Sequence, residues 1–400
     1  MRVSTSQFYY QSAQQLSKQQ VSVSQQGEYI SAGKRVLTAK DDAVAYGTLS
    51  GLKNDLANIE QYQRNITQSI NRNSLQDVSF TSAEDIMQQL KQTFIQANNG
   101  AYNDDDLDAL ENLAQSSLEQ LLDIANTKDE TGGYIFAGYQ VGTTPFVMQE
   151  DNSVSYHGDN GVRELQIAKN IMVDTNQAGD TAFMNVNNEQ GDFSVEYNST
   201  SGIALNKAII SDPSAYDTVN FPPEYNFNFT SETDLNVTDA LGNSVFSTTT
   251  YAPGQTIAFN GVEVQLSGNP LPGDDFNLTP QKEISLFDTV KGIVDWIAVG
   301  SSPADSAQHQ VEYQELLGQL DQALNHMTKG QVESGLRLSL LENQQSNHLD
   351  STLALTQGTT DIEALDYAKA ASDFEQSKVS LQAAQQTFVQ IKSLSLFNYL

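Results

Sequence analysis

An α+β chain, helical toward both ends with a mainly β domain inserted between them, is predicted by three observations. Apolar residues recur at three-, four- and seven-residue steps in the first and last thirds. Short β-prone runs broken by Gly, Asn, Asp and Pro fill residues 132 to 280. At 400 residues, 38% of them hydrophobic, the chain can build two or three domains around a substantial core.

The elements follow in order. Tyr9, Leu16, Val23 and Ile30 recur every seven residues and form one stripe of a helix. Their companion positions are mostly Ser and Gln, so the seam is too narrow to hold that helix alone. A break at Ser31-Ala32-Gly33 leads to a second helical pattern through Leu52, Leu56, Ile59, Tyr62, Ile66 and Ile70. Ser82 to Asp85 reads either as a capping box with Asp in place of Glu or as a surface run inside a longer helix. Asn98-Asn99-Gly100 is a turn signal. The next helix puts Leu107, Leu110, Ala114, Leu118, Leu121 and Ala125 on one face. The acids at 104–106 and 108 lack the spacing and glycine of a calcium loop, and suit a helix N-terminus instead.

The β-rich stretch opens at Gly132-Gly133 with the run Tyr134-Ile135-Phe136. Within it, Asn260-Gly261 between TIAF and VEVQL specifies a two-residue hairpin, and a short helix is expected near Ser201–Ile210. Helical spacing returns with Leu286, Phe287, Val290, Ile293, Val294 and Ile297. It continues through Leu316, Leu320, Leu324 and Met327, then Leu341, Leu349 and Leu353. The last helix carries Phe374, Leu381 and Phe388 at sevens, with Ala384 and Ile391 at the companion position. Leu394, Leu396, Phe397, Tyr399 and Leu400 follow, an apolar run that calls for burial against the same chain or a partner. The simplest arrangement packs the helical ends together as an elongated bundle. The expected divisions are terminal assembly helices at 1–40 and 361–400, helical rod halves at 41–131 and 284–360, and an inserted β-rich domain at 132–283.

Chemistry is hard to assemble from these residues. There is no G-x-S-x-G, P-loop, H-E-x-x-H or strand-linked G-x-G-x-x-G, so no enzyme is expected and no cofactor is assigned. His157, His309, His326 and His348 match no local zinc spacing. Tyr216, Phe221, Tyr225, Phe227 and Phe229 are the nearest thing to an aromatic binding groove, as an adhesin-like module would need. Alternating Tyr225, Phe227 and Phe229 fits the inward face of a strand better. Asn198-Ser199-Thr200 and Asn228-Phe229-Thr230 match the glycosylation sequon, a weak signal by itself.

Charge narrows the partners. Twenty basic against fifty acidic residues gives a net charge of −30, which argues against nucleic acid. The imbalance is uneven: residues 1–40 hold five basic groups and one acid, and residues 376–400 hold two lysines and no acid. The basic ends suit a surface that meets something acidic, including further copies of this chain. No run of eighteen apolar residues predicts a membrane span. Without cysteine there is no disulfide, and without an apolar h-region near the start the chain reads, on these facts, as cytoplasmic.

Two stretches change that reading. MRVST…QLSKQQVSVSQQGEYISAGKRVLTAKDDAVAYG (1–47) and DIEALDYAKAASDFEQSKVSLQAAQQTF (361–388) resemble the two ends of the flagellin-like superfamily. GGYIFAGYQVGTTPF (132–146) and FNGVEVQLSGNPLPGDDF (259–276) are similar to hook-associated members, and the opening resembles the hook–filament junction group. One departure is that Asp41-Asp42 is followed by Ala43, as in flagellins, where junction proteins commonly have Pro; Lys40-Asp41-Asp42 otherwise reads as an exposed turn.

The resemblance implies a structural adaptor ring between hook and filament, made of copies of this chain. It implies the first hook-associated protein on the hook side, flagellin on the filament side, an export chaperone, and export through the flagellar channel without a cleaved signal. A flagellin-type filament subunit and a secreted adhesin-like protein are the alternatives. The assembly surface is expected at Tyr9, Leu16, Val23 and Ile30, meeting Phe374, Leu381, Ala384, Phe388, Ile391, Leu394 and Phe397.

Overall fold

The computed structural model describes residues 2–100, 102–198, 202–300 and 306–397, with the side chains of 2–6, 306 and 391–397 left undescribed. Six helices frame the chain: α1 (Arg2–Ala32), α2 (Ala43–Ala97), α3 (Asp104–Ala125), α4 (Leu286–Val299), α5 (Ser306–Glu363) and α6 (Tyr367–Phe397). The strands lie between α3 and α4: β1 (Phe146–Met148), β2 (Val154–Tyr156), β3 (Glu164–Ala168), β4 (Ile171–Asp174), β5 (Val186–Asn187), β6 (Phe193–Tyr197), β7 (Ala204–Ile210), β8 (Tyr225–Phe229), β9 (Leu235–Thr238), β10 (Ser244–Thr248), β11 (Thr256–Phe259), β12 (Val262–Ser267), β13 (Asp275–Pro280) and β14 (Glu283–Ile284). Helical ends around a β-rich middle are the α+β architecture expected from the sequence.

Contacts divide the chain into an end unit, residues 1–64 with 343–400, and a central unit, residues 65–342. The central unit carries 39 of the 50 acidic residues and 10 of the 20 basic ones, so nearly all the net negative charge sits there.

Two large cores, and a small cluster of Ile66, Ile167, Val173 and Leu341, hold the central unit. In the first, the apolar stripes of α3 and α4 meet α2 and α5 around Phe80, Phe94, Phe136, Phe146, Phe183 and Phe287. α3 is started by Asn103, whose side chain accepts from the Asp106 N–H while Asp106 accepts from the Asn103 N–H. The acids at 104–106 are therefore a helix start, favoured by its dipole. Ser285 caps α4 by accepting from the Phe287 N–H, and α4 then buries eight of its fourteen residues.

The second core lies between a five-stranded sheet ordered β10-β9-β8-β13-β6 and a three-stranded sheet ordered β11-β12-β7. Tyr225, Phe227 and Phe229 of β8 all point into it and are fully buried. They are not available as a binding groove. The hairpin at Asn260-Gly261 is present, with both residues at positive φ (43° and 72°) and Phe259 facing Val262.

Three expectations are corrected. Residues 204–210 are strand β7, not a helix; Leu205 and Ala208 face the second core, and the strand pairs along β12. Ser201 lies outside the described residues. Tyr134-Ile135-Phe136 is a turn rather than a strand, apolar because Ile135 and Phe136 plug the first core. Leu349 and Leu353 of α5 are exposed rather than core-facing. Ser82 to Asp85 lies inside α2 and caps nothing. A π-helical turn at Asp180–Met184, which no periodicity signalled, carries Phe183 into the first core.

Candidate assembly surface at the joined chain ends

The end unit is built by bringing the two chain ends together. α1 runs along α6, and the heptad stripes face each other: the Tyr9 and Phe388 rings lie 5.1 Å apart. Gly27 lets the Phe374 ring edge pass within 3.8 Å of where a side chain would begin. Leu16, Val23 and Ile30 on α1 and Phe374, Leu381, Ala384 and Phe388 on α6 are half-buried. Ile391, Leu394 and Phe397 sit on α6, and their side chains lie outside the described residues.

Where the helices turn, backbone and charge tie the ends. The Arg35 N–H donates to the Glu363 carbonyl (2.7 Å) and the Leu365 N–H to that of Gly33 (3.3 Å). The Glu363 carboxylate, among the most buried charges of the chain, pairs with Lys34 at 2.8 Å and with Lys53 of α2. Burial opposes its charge, and the two ammonium groups more than offset that, so its carboxyl stays below the ordinary glutamate range.

Lys40-Asp41-Asp42 is a turn with structural bonds. The Tyr29 hydroxyl donates to Asp41 at 2.6 Å, and the Leu37 and Thr38 N–H groups add bonds at 3.0 and 2.8 Å. With the Tyr29 bond foremost, these hold the Asp41 carboxyl down to about 2. Asp42 starts α2 by accepting from the Ala45 N–H (3.0 Å) and faces Arg35 at 3.4 Å. Asp366 does the same for α6 through the Ala368 and Lys369 N–H groups.

Sequence reasoning missed Glu363 and Tyr367, because nothing local marks two positions that meet Lys34, Lys53 and Gly33 from hundreds of residues away. The histidines stay apart in function: His309 stacks on Trp296, His348 stacks on Tyr62, and His326 bonds the Thr181 carbonyl. Among the described residues no group of His, Asp and Glu has the arrangement of a metal site.

Comparison with known proteins agrees with this geometry. Residues 3–141 match the bacterial flagellin N-terminal helical region and residues 317–400 the bacterial flagellin C-terminal helical region. The flagellar hook-associated protein 3 of Escherichia coli is 32% identical over 183 residues, 46% of this chain and 57% of that protein. The chain thus spans about half the length of the curated relatives it matches. The flagellar junction protein FlgL from Legionella pneumophila has a similar structure, with a TM-score of 0.63 and 28% identity over 78% of this chain and 100% of that one. FlgL from Xanthomonas campestris is similar too, with a TM-score of 0.65 and 25% identity over 77% and 99%. The matched helical regions are the ones whose ends this structure ties together, and the chain belongs to the flagellin-like superfamily.

Proposed function

We propose that this chain is a structural subunit, not an enzyme, that joins hook to filament as a ring of its own copies in the bacterial flagellum. One observation carries the reading. Among the described side chains, none on α1 and only Ala370 on α6 is fully buried, although each helix is 31 residues long. Phe8, Tyr10 and Val21 on α1, and Val379 and Val389 on α6, are more than half exposed. Ordering a helix costs about 1–2 kcal/mol per residue in backbone entropy, and a fully buried large apolar side chain returns about 1.5–3 kcal/mol. Half-covered stripes fall short of that return, so the pair needs further surfaces. Neighbouring copies supply them, and the ends fold as they assemble.

The relatives named hook-associated protein 3 and the similar structures named as a junction protein support this role over that of a filament subunit. The neighbours are then the first hook-associated protein on one side and flagellin on the other. An export chaperone would hold the unassembled ends, and the chain would leave through the flagellar channel.

A strain lacking the gene tests the role. Abundant unpolymerised flagellin in the medium, with hooks intact, is expected. Normal filaments and no free flagellin would overturn the adaptor reading.

A further inference from the structure

Within the central unit α2 and α5 run antiparallel and face each other. Gln331 donates to the Thr81 hydroxyl at 2.9 Å, Lys91 pairs with Asp321, and Gly330 lies so close to the Phe80 ring that a Cβ there would sit 2.9 Å from it. Each helix turns a heptad stripe toward the other. On α2 the stripe steps through Ile66, Ser69, Asn73, Gln76 and Phe80 and continues apolar to Phe94, fully buried throughout. On α5 it steps through Met327, Gly330, Ser334, Arg337 and Leu341, with Met327, Ser334 and Leu341 fully buried. Three polar residues in succession therefore interrupt a buried stripe that is apolar on either side.

In this antiparallel pairing Ser334 falls opposite Gln76, and Arg337 opposite Asn73. The end of β4 forms a third wall. Asn73 Nδ2 donates to the carbonyls of Ser69 (2.9 Å) and Asp174 (3.2 Å), and Gln76 Nε2 to that of Thr175 (3.4 Å). The Arg337 guanidinium stands 4.0 Å from the Asp174 carboxylate and 3.8 Å from that of Glu333. The amide nitrogens are thus engaged, and the amide oxygens are not. Among the described residues, eleven buried side-chain nitrogen and oxygen atoms have no partner within the chain, and five of them meet here. They are Asn73 Oδ1, Gln76 Oε1, Arg337 Nη1 and the hydroxyls of Ser69 and Ser334. An unpaired buried polar group costs more than a made bond returns, so such groups are nearly always satisfied.

We propose that these layers are an internal hydration site, where ordered water between α2, α5 and the end of β4 completes the bonds. The atoms select the ligand. Asn73 Oδ1 and Gln76 Oε1 only accept, Arg337 Nη1 only donates, and the two hydroxyls do both. A cation suits the amide oxygens but meets the guanidinium. An anion suits the guanidinium, which Asp174 and Glu333 already balance, but meets the amide oxygens. A small neutral molecule that both donates and accepts answers all five, and water is that molecule. Ser334 supplies the room, being a short side chain one heptad from Met327 and from Leu341. Water held there ties the β3–β4 hairpin to both helices. It also makes a wet joint between two dry ones, the first core and the Ile66–Leu341 cluster. The site belongs to the central unit alone and does not rest on the assembly role.

A crystal structure of the full chain, at a resolution that shows ordered solvent, tests the site. Water within hydrogen-bond reach of Asn73 Oδ1, Gln76 Oε1 and the Ser334 hydroxyl is expected. Direct Asn73–Arg337 and Gln76–Ser334 bonds, a dry gap, or an ion in place of water would overturn the proposal. Urea unfolding of two variants supplies a second reading. Ser334→Ala removes one hydroxyl and keeps the room, and is expected to change the unfolding constant by no more than about threefold. Ser334→Val fills the room, displaces the water and strands the amide oxygens, and is expected to raise that constant roughly ten- to a hundredfold. In a dry gap the added methyl groups would instead stabilise the protein, so a Ser334→Val chain as stable as Ser334→Ala, or more so, would also overturn it.

Discussion

Phe183→Ala is expected to lower the unfolding free energy of the central unit by about 3–5 kcal/mol. The ring stands edge-on to Phe136 at 5.0 Å and to Phe146 at 5.5 Å, and lies 6.0 Å from Phe287. It is fully buried, and it enters the core from the π-helical turn at Asp180–Met184, a segment held at both ends by strands and loops. Removing it leaves a void that α2, α4 and the 134–136 turn cannot all close at once. Urea denaturation followed by the fluorescence of Trp296, the single tryptophan and part of the same core, reads the loss. Phe183→Leu keeps most of the volume and is expected to lose about 1.5 kcal/mol or less. Equal losses for the two variants would show that the ring fills no critical space.

Gly33→Ala is expected to loosen the joint of the chain ends by about 1–3 kcal/mol. Gly33 adopts φ +65°, which L side chains disfavour, and a Cβ there would sit 2.6 Å from the Tyr367 hydroxyl. Two separate costs therefore fall on the residue that accepts the Leu365 N–H bond and precedes the Lys34–Glu363 ion pair. Thermal unfolding of assembled material, followed by far-ultraviolet circular dichroism, should show the earliest helix loss moving to lower temperature. Tyr367→Phe in the same background removes the closest atom and is expected to recover part of the loss, leaving the backbone strain. An unchanged melting profile in Gly33→Ala would contradict this view of the joint.

The parts legible in the sequence are those in which one face is buried along a continuous element. α3 and α4 announce themselves through stripes that the structure covers, with only Leu110 of them part-buried. The hairpin at Asn260-Gly261 is legible because only positive φ closes so short a loop. β7 misled because Leu205 and Ala208 stand three residues apart, which mimics a helical step; a register irregularity in its pairing with β12 lets both face inward. Tyr134–Phe136 misled because burial, not strand pairing, makes it apolar. Leu349 and Leu353 keep helical spacing, yet nothing within the chain covers them among the described residues. Facing of Tyr9 toward Phe388 was readable from two sevenfold stripes. The Lys34–Glu363–Lys53 cluster was not, since its partners are separated by more than 300 residues and share no pattern.

That contrast bears on function. The central unit buries most of its aromatic residues within itself, whereas the end unit leaves its stripes half covered. Self-sufficient packing in one and incomplete packing in the other is what a subunit needs if its ends are to fold only in company.

Hydrogen exchange at the two ends tests this most directly, comparing dilute free chain with assembled material. Amides in Tyr9–Ile30 and Phe374–Phe388 are expected to exchange at nearly unprotected rates in the dilute monomer. The same amides should become protected on assembly, while α3 and α4 are protected in both. Protection of both ends in the dilute monomer, equal to that of the central helices, would contradict coupled folding and leave α1 and α6 as an ordinary intramolecular pair.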